Sequence, residues 1–275
     1  MRIVALSTCD SLSSYVLSEV ARAVGRLDVI KVEMNWQATR SRRGGLASLA
    51  SLPGRAIRSL ERRLYRAPRE RREASRLAEL LANEHEIPRT AARAPVAVLH
   101  SDELTSGSAA ACETLARLAP DLLLVHRAPL LPRTIYSLPR LGAWNLHYGL
   151  APEYRGEGGL FWPLYFGELD RVGVTLHEID DGVDTGRTIE RRRLPVAPDD
   201  DEVTLTVTAA RAAATMIVDN LLLLQLRLKE KSEEKSEACS NEAAPAVRSR
   251  YFRQRDRRIW HDLICWLRRP GGRAS

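Results

Sequence analysis

DLLLVH, residues 121–126, is the stretch whose reading decides the fold. Four apolar residues run together without alternation, which is how a strand reads when both faces of its sheet are covered. The stretch before it, SAAACETLARLAP (108–120), has helical spacing and stops at Pro120. Working outward, RIVALST (2–8), DVIKVEM (28–34), APVAVLH (94–100) and GAWNLHYG (142–149) read as further strands. Between the first two lies SLSSYVLSEVARAVG (11–25), a helix that Asp10 or Ser11 can cap and Gly25 can close. Strands alternating with helices predict an α/β domain with a doubly wound, mostly parallel sheet. GVTLHEID (173–180) and TIERRRLPV (188–196) add a strand pair joined across DGVDTG, and residues 201–228 form a long helix.

At 275 residues and 44% hydrophobic content the chain can bury a large core. Its longest apolar run, LLLLQL (221–226), is too short to span a bilayer, and its start is a poor signal peptide. Cys9, Cys112, Cys239 and Cys265 lie far apart without metal-site spacing, so reduced thiols and a cytoplasmic location are expected. The charge of +7 is uneven. Residues 38–76 hold twelve Arg and three Glu, and residues 248–275 nine Arg and two Asp. An acidic core therefore carries two basic appendages.

These features divide the chain into a domain at 1–228 containing a basic helical insert (35–85), a flexible linker (229–247) and a basic tail (248–275). The insert reads as two or three helices broken at Pro53 and Pro68. The linker is charged, low in complexity and contains Pro. In the tail, Trp260, Leu263, Ile264 and Leu267 repeat at helical spacing, giving a short amphipathic helix whose apolar face is expected to dock on the protein's own core.

NLHYGLAPEYRG (145–156) follows a strand-like run. Asn145 and His147, two apart, share one face of a strand at its carboxyl end, where ligands bind in doubly wound sheets. Taken singly, each such residue has a plain reading: a hydrogen-bonded loop His, an Asx turn at Asp184, turn formers at Asp180 and Asp181. Three pieces in order, PDLLLVHRAPLLP, NLHYGLAPEYRG and GVTLHEIDDGVDTGRTI, together resemble the formyltransferases that use 10-formyltetrahydrofolate. The resemblance is firm over 120–195, loose over 1–34 and 85–120, and absent from 35–84 and beyond 229. It implies a Rossmann-like domain and formyl transfer to an amine.

By that resemblance Asn145 donates to the oxyanion, His147 donates to it or takes the amine proton, and Asp184 orients the imidazole. The pterin of the folate co-substrate would sit between Ala128, Pro129 and Leu131 on one side and Ile179, Asp180, Asp181, Gly182 and Val183 on the other. Tyr154 and Arg155 read as a turn beside the site, with acceptor contact as the lesser alternative. No metal is implied. Gly149-Leu150-Ala151-Pro152 departs from the family's usual Ser-Leu-Leu-Pro, and His126 and Arg127 stand where small or apolar residues are usual.

The acceptor is expected to be a small amine bearing a nucleotide or phosphate, with an amino sugar favoured. The loop after the first strand, STCDSLSS, lacks the Gly-rich pattern of the glycinamide ribonucleotide enzymes. A nucleic-acid acceptor is the alternative the basic insert keeps open, and a deformylase a further variant. A catalytically idle module binding RNA or anionic membrane is the reading of another class, although membrane contact is expected only as weak surface contact by the tail. Oligomeric state is left open by the sequence.

Overall fold

Seven strands form one sheet in the computed structural model, which describes residues 1–35, 59–84, 94–233 and 249–268. In chain order they are β1 (Ile3–Ser7), β2 (Asp28–Glu33), β3 (Ala97–His100), β4 (Leu122–His126), β5 (Ala143–His147), β7 (Gly173–Glu178) and β8 (Thr188–Arg193). Their spatial order is β3-β2-β1-β4-β5-β7-β8. The first five run parallel, and β7 and β8 are antiparallel additions at one edge. This is the doubly wound, mostly parallel sheet expected from the sequence, with its direction of winding reversing between β1 and β4.

Alternate residues of each strand serve two layers. Ile3, Ala5, Leu122, Leu124, Trp144 and Leu146 pack with helices α1 (Ser11–Val24), α2 (Ala67–Glu84) and α7 (Glu202–Glu233). Val4, Leu6, Leu123, Val125 and Ala143 pack with α3 (Ser101–Ser106), α4 (Ala109–Leu118) and α5 (Arg133–Tyr136). In α1 the Asp10 carboxylate caps the Ser13 amide and the Gly25 amide closes the last turn on Ala21. Residues 202–230 are long and apolar enough to cross a bilayer, more than the short apolar run 221–226 indicated. In the fold, Leu205, Ala209, Ala213, Met216 and Ile217 of α7 are buried in the core facing α1 and the sheet.

The insert and tail depart from expectation. Residues 59–84 form one continuous helix rather than breaking at Pro68. A π-helical turn, Arg62–Arg66, precedes Pro68, widening the helix where a proline ring would otherwise meet the carbonyl four residues back. Pro53 lies outside the described residues. Helix α7 continues to Glu233, five residues past the boundary placed at 228, so the start of the supposed linker is helical; residues 234–248 lie outside the description. Two short strands the sequence did not reveal, β6 (Tyr154–Gly156) and β9 (Arg250–Phe252), pair in parallel and fasten the tail to the domain. Tail helix α8 (Ile259–Leu267) lies against α6 (Phe161–Phe166), but not by the face expected. Trp260, Leu263 and Leu267 are exposed, while Cys265 is buried among Phe161 and Trp162 and the His261 ring meets Trp162 and Tyr165 edge-on.

Candidate active site

Asn145 and His147 leave β5 on the side of Ala143, the layer covered by α3, α4 and α5. At this end of the strand loops replace the helices, and polar side chains can occupy the face. Antiparallel pairing places His177 of β7 directly opposite Asn145. A bulge between Leu176 and His177 breaks the register with β8 at that point, the kind of local twist that re-aims a side chain. The loop between β7 and β8 then brings Asp184 over the strands, with φ of 50°. An aspartate tolerates that left-handed conformation better than most residues, at some cost in strain.

The four side chains converge. The Asp184 carboxylate accepts from the Gly156 amide at 2.8 Å and from Asn145 Nδ2 at 3.4 Å. It lies 3.4 Å from Nδ1 of His147 and 3.3 Å from Nε2 of His177. Each imidazole has its other nitrogen turned to a backbone carbonyl: His147 Nε2 to Tyr154 at 2.8 Å, His177 Nδ1 to Glu178 at 2.7 Å. Those nitrogens carry the proton in a neutral ring. The remaining nitrogen of each ring is therefore a lone pair facing one carboxylate, and a single added proton would turn either contact into a hydrogen bond. Asn145 Nδ2 also donates to His177 Nε2 at 3.1 Å.

Burial pushes the His147 pKa below that of an ordinary imidazole, opposed by Asp184 and by the Tyr154 carbonyl. Burial alone would raise the Asp184 pKa, but the His177 ring, which donates to it when protonated, the His147 ring, which sets a positive charge beside it when protonated, and the Gly156 amide hold it below the usual carboxylate range. His147 is thus neutral and Asp184 ionised at neutral pH. Asn145 is only half-buried, so the cluster reaches the surface at its amide end.

The two loops expected to flank the pterin are neighbours. Ala128, Leu131 and Ile179 share one apolar cluster, and the Tyr136 hydroxyl donates to Asp181 at 2.6 Å. Pro129 is half-buried beside Ala128. Asp180 is the turn former of its loop, accepting from the Gly182 amide at 3.0 Å and from Thr185 at 2.7 Å. Val183 gives its carbonyl to Arg155 at 3.4 Å. Arg155 also has a buried Nε without a hydrogen-bond partner, so this residue has unused donor capacity.

Tyr154 does not. Its ring is fully buried and stacks on Phe252, and its hydroxyl donates to Glu168 at 2.5 Å and accepts from Arg250 at 2.8 Å. Its place is in the β6–β9 joint, out of reach of an acceptor. His126, at the end of β4, is fully buried with Nε2 3.1 Å from the Tyr148 hydroxyl, and burial lowers its pKa to about 3. Arg127 beside it pairs with Asp10 at 2.7 Å, tying the loops after β1 and β4 together.

Two members of the site were not assigned from sequence. His177 was visible only as an unplaced residue of GVTLHEID; the signal that finds it is its register opposite Asn145. The Gly156 amide was hidden because its orientation depends on β9. Gly156 has φ of 83°, and a side chain there would collide with the Phe252 carbonyl, so only glycine lets the tail strand pass this close. Among the described residues no group of three or more His, Cys, Asp or Glu is placed to hold a metal ion.

A family model described as formyl transferase matches residues 70–221, more than half of the chain. The methionyl-tRNA formyltransferase of Geobacter sulfurreducens is 33% identical over 192 residues, which are 69% of this chain and 53% of that relative. The chain thus spans about half the length of that relative. Among solved structures, a sugar N-formyltransferase from Shewanella sp FDAARGOS_354 gives a TM-score of 0.53 at 13% identity over 96% of this chain and 86% of that one. Phosphoribosylglycinamide formyltransferase from Streptococcus pneumoniae TIGR4 gives 0.51 at 19% identity, over 82% and 99%. At such identities the structures speak for the fold, while the match over 70–221 speaks for descent: the chain belongs to the formyl transferase family.

Proposed function

We propose that this protein transfers a formyl group from 10-formyltetrahydrofolate to the primary amine of a small acceptor, an amino sugar before other amines. The observation that carries the reading is the proton deficit at Asp184: two imidazole lone pairs aimed at one carboxylate make a site that gains by accepting a proton. An amine attacking a formyl carbon must lose one. Asp184, with its pKa below the usual range, is a poor base by itself. His147 takes the proton at Nδ1, and Asp184 stabilises the imidazolium formed. The Asn145 amide, beside the half-buried end of the cluster, donates to the oxyanion of the tetrahedral intermediate. Collapse of that intermediate breaks the bond between the formyl carbon and the folate nitrogen, and the proton held by the imidazolium goes to the departing nitrogen, giving tetrahydrofolate and the formylated amine. The neighbouring loops at 128–131 and 179–183, whose Ala128, Leu131 and Ile179 side chains share one apolar cluster, support a pterin site between them.

The Asp10 carboxylate caps the first turn of α1 and pairs with Arg127. That helix end already holds an anion, which supports an acceptor whose phosphate, if present, is bound elsewhere. A second reading, an aminoacyl-tRNA acceptor, is favoured by the sequence relative and by the Arg-rich insert. Both are tested by mixing the protein with 10-formyltetrahydrofolate and either nucleotide-linked amino sugars or methionyl-tRNA, then following tetrahydrofolate release and the mass gain of one formyl unit. His147→Ala should slow transfer by about 10² to 10⁴. Unchanged turnover in that variant sinks the assignment, and formate release without any amine makes the protein a deformylase.

A further inference from the structure

The tail and insert, remote in sequence, abut in the fold and leave one shared surface unused by the catalytic reading. Glu61 joins them, accepting from Arg258 Nε at 2.8 Å and from the Ile259 amide at 3.0 Å. On either side of Glu61 along the insert helix, Leu60 and Leu64 are 57% and 67% exposed. On α8 the outward face carries Trp260, Leu263, Trp266 and Leu267, each about half exposed, with Ile259 at its edge. Isolated exposed leucines are ordinary, but indole and aliphatic side chains gathered on two abutting helices mark an interaction surface.

The charges sort by direction. Glu61 and Asp262 turn inward, with side chains only 10% and 12% exposed, and are consumed by Arg258, Arg69 and Arg257. Arg62 and Arg63 are exposed, Arg268 is exposed while donating to the Tyr165 carbonyl, and Arg258 lies over the Trp260 ring at 4.7 Å. The exposed acids nearby include Glu70, Glu157 and Asp256, against a large Arg excess in both segments. A second copy of this face would meet its own positive charge. A nucleic acid would use the arginines but leave the leucines in water. Trp and Leu flanked by Arg suit a boundary that is apolar within and anionic at its rim.

We propose that this face docks on an anionic lipid surface, with Trp260, Leu263, Trp266 and Leu267 entering the headgroup boundary and the flanking arginines meeting lipid phosphates. The test is co-sedimentation of the full chain with vesicles of phosphatidylcholine alone and of phosphatidylcholine mixed with phosphatidylglycerol. The protein should bind the mixed vesicles only, with a blue shift of tryptophan emission, and added salt should weaken binding. Trp260→Glu combined with Leu263→Glu should cut binding about tenfold or more. Both positions are about half exposed, so thermal unfolding should be unchanged, which separates lost docking from lost folding. The proposal is overturned if the parent ignores anionic vesicles at low salt, or if the double variant sediments like the parent. It is equally overturned if light scattering finds a dimer that the variant splits, or if RNA rather than lipid is bound.

Discussion

Buried charge is arranged differently in the candidate catalytic cluster and in the joint between insert and tail. In the joint, cations meet anions in close pairs: Arg69 with Asp262 at 2.6 Å, and Arg257 with Asp262 at 2.6 Å and with Glu202 at 2.8 Å. Arg257 is further covered by the Phe161 ring, 3.5 Å from its guanidinium. A cavity of about 330 Å³ opens there, lined by these same groups with Tyr65 and Trp266, and it includes none of Asn145, His147, His177 or Asp184. In the cluster one carboxylate faces two imidazole rings at 3.3–3.4 Å. Matched pairs hold elements together. An unmatched carboxylate leaves a place for a proton, which is a chemical capacity.

The contrast breaks most sharply at the carboxylate itself. Asp184→Asn keeps the shape and removes the charge that steadies His147. Transfer should fall by about 10² to 10⁴, with little change in thermal unfolding; a variant that keeps its activity would place the cluster among structural charges. Asp262→Ala should do the reverse. Among the described residues it leaves Arg69 with only Glu73 at 3.3 Å and Arg257 with only Glu202, and should cost about 3 kcal/mol of stability by denaturant titration, with turnover per folded molecule unchanged. Gly156→Ala touches both regions, because it strains a left-handed residue and pushes β9 from β6. A loss of about 1–3 kcal/mol should accompany slower transfer as the amide moves away from Asp184.

The smallest effect is on pH. His126, His147 and His261 all have depressed pKa values in the folded protein, each chiefly through burial. An unfolded chain then binds more protons than the native one below the free imidazole value of about 6.5. Their contribution to stability is whole above that value and is lost as pH falls through the folded values, reaching about 3 for His126. Thermal melts should show this loss beginning below about pH 6.5, and the acid limb of kcat/KM should lie below that value as well, since His147 must be neutral to act. A limb above it would mean that Asp184 outweighs burial at His147.

The regular part of this architecture was legible because it is local. Period-two and unbroken apolar runs marked the strands, and Asp10 and Gly25 marked the ends of α1. Asn145 and His147 were legible together because two-residue spacing on one strand fixes a common face. What escaped depends on pairing across distance. His177 belongs to the site through antiparallel register, and β6 exists as a strand only because residues 250–252 lie beside it. The tail helix was recognised but its buried face was misassigned. Periodicity shows that a helix has an apolar side, whereas here the edge-on aromatic contacts of His261 and the pairing of Asp262 decide which side turns inward.

Residues 250–252, near the far end of the chain, run beside the strand whose last amide grips Asp184. The domain therefore cannot be cut at the end of α7 without consequence: a shortened chain would keep all four convergent side chains and lose the backing that sets one of them. Preparations ending after 233 and after 268 would share their chemistry on paper and differ in how firmly the carboxylate is aimed.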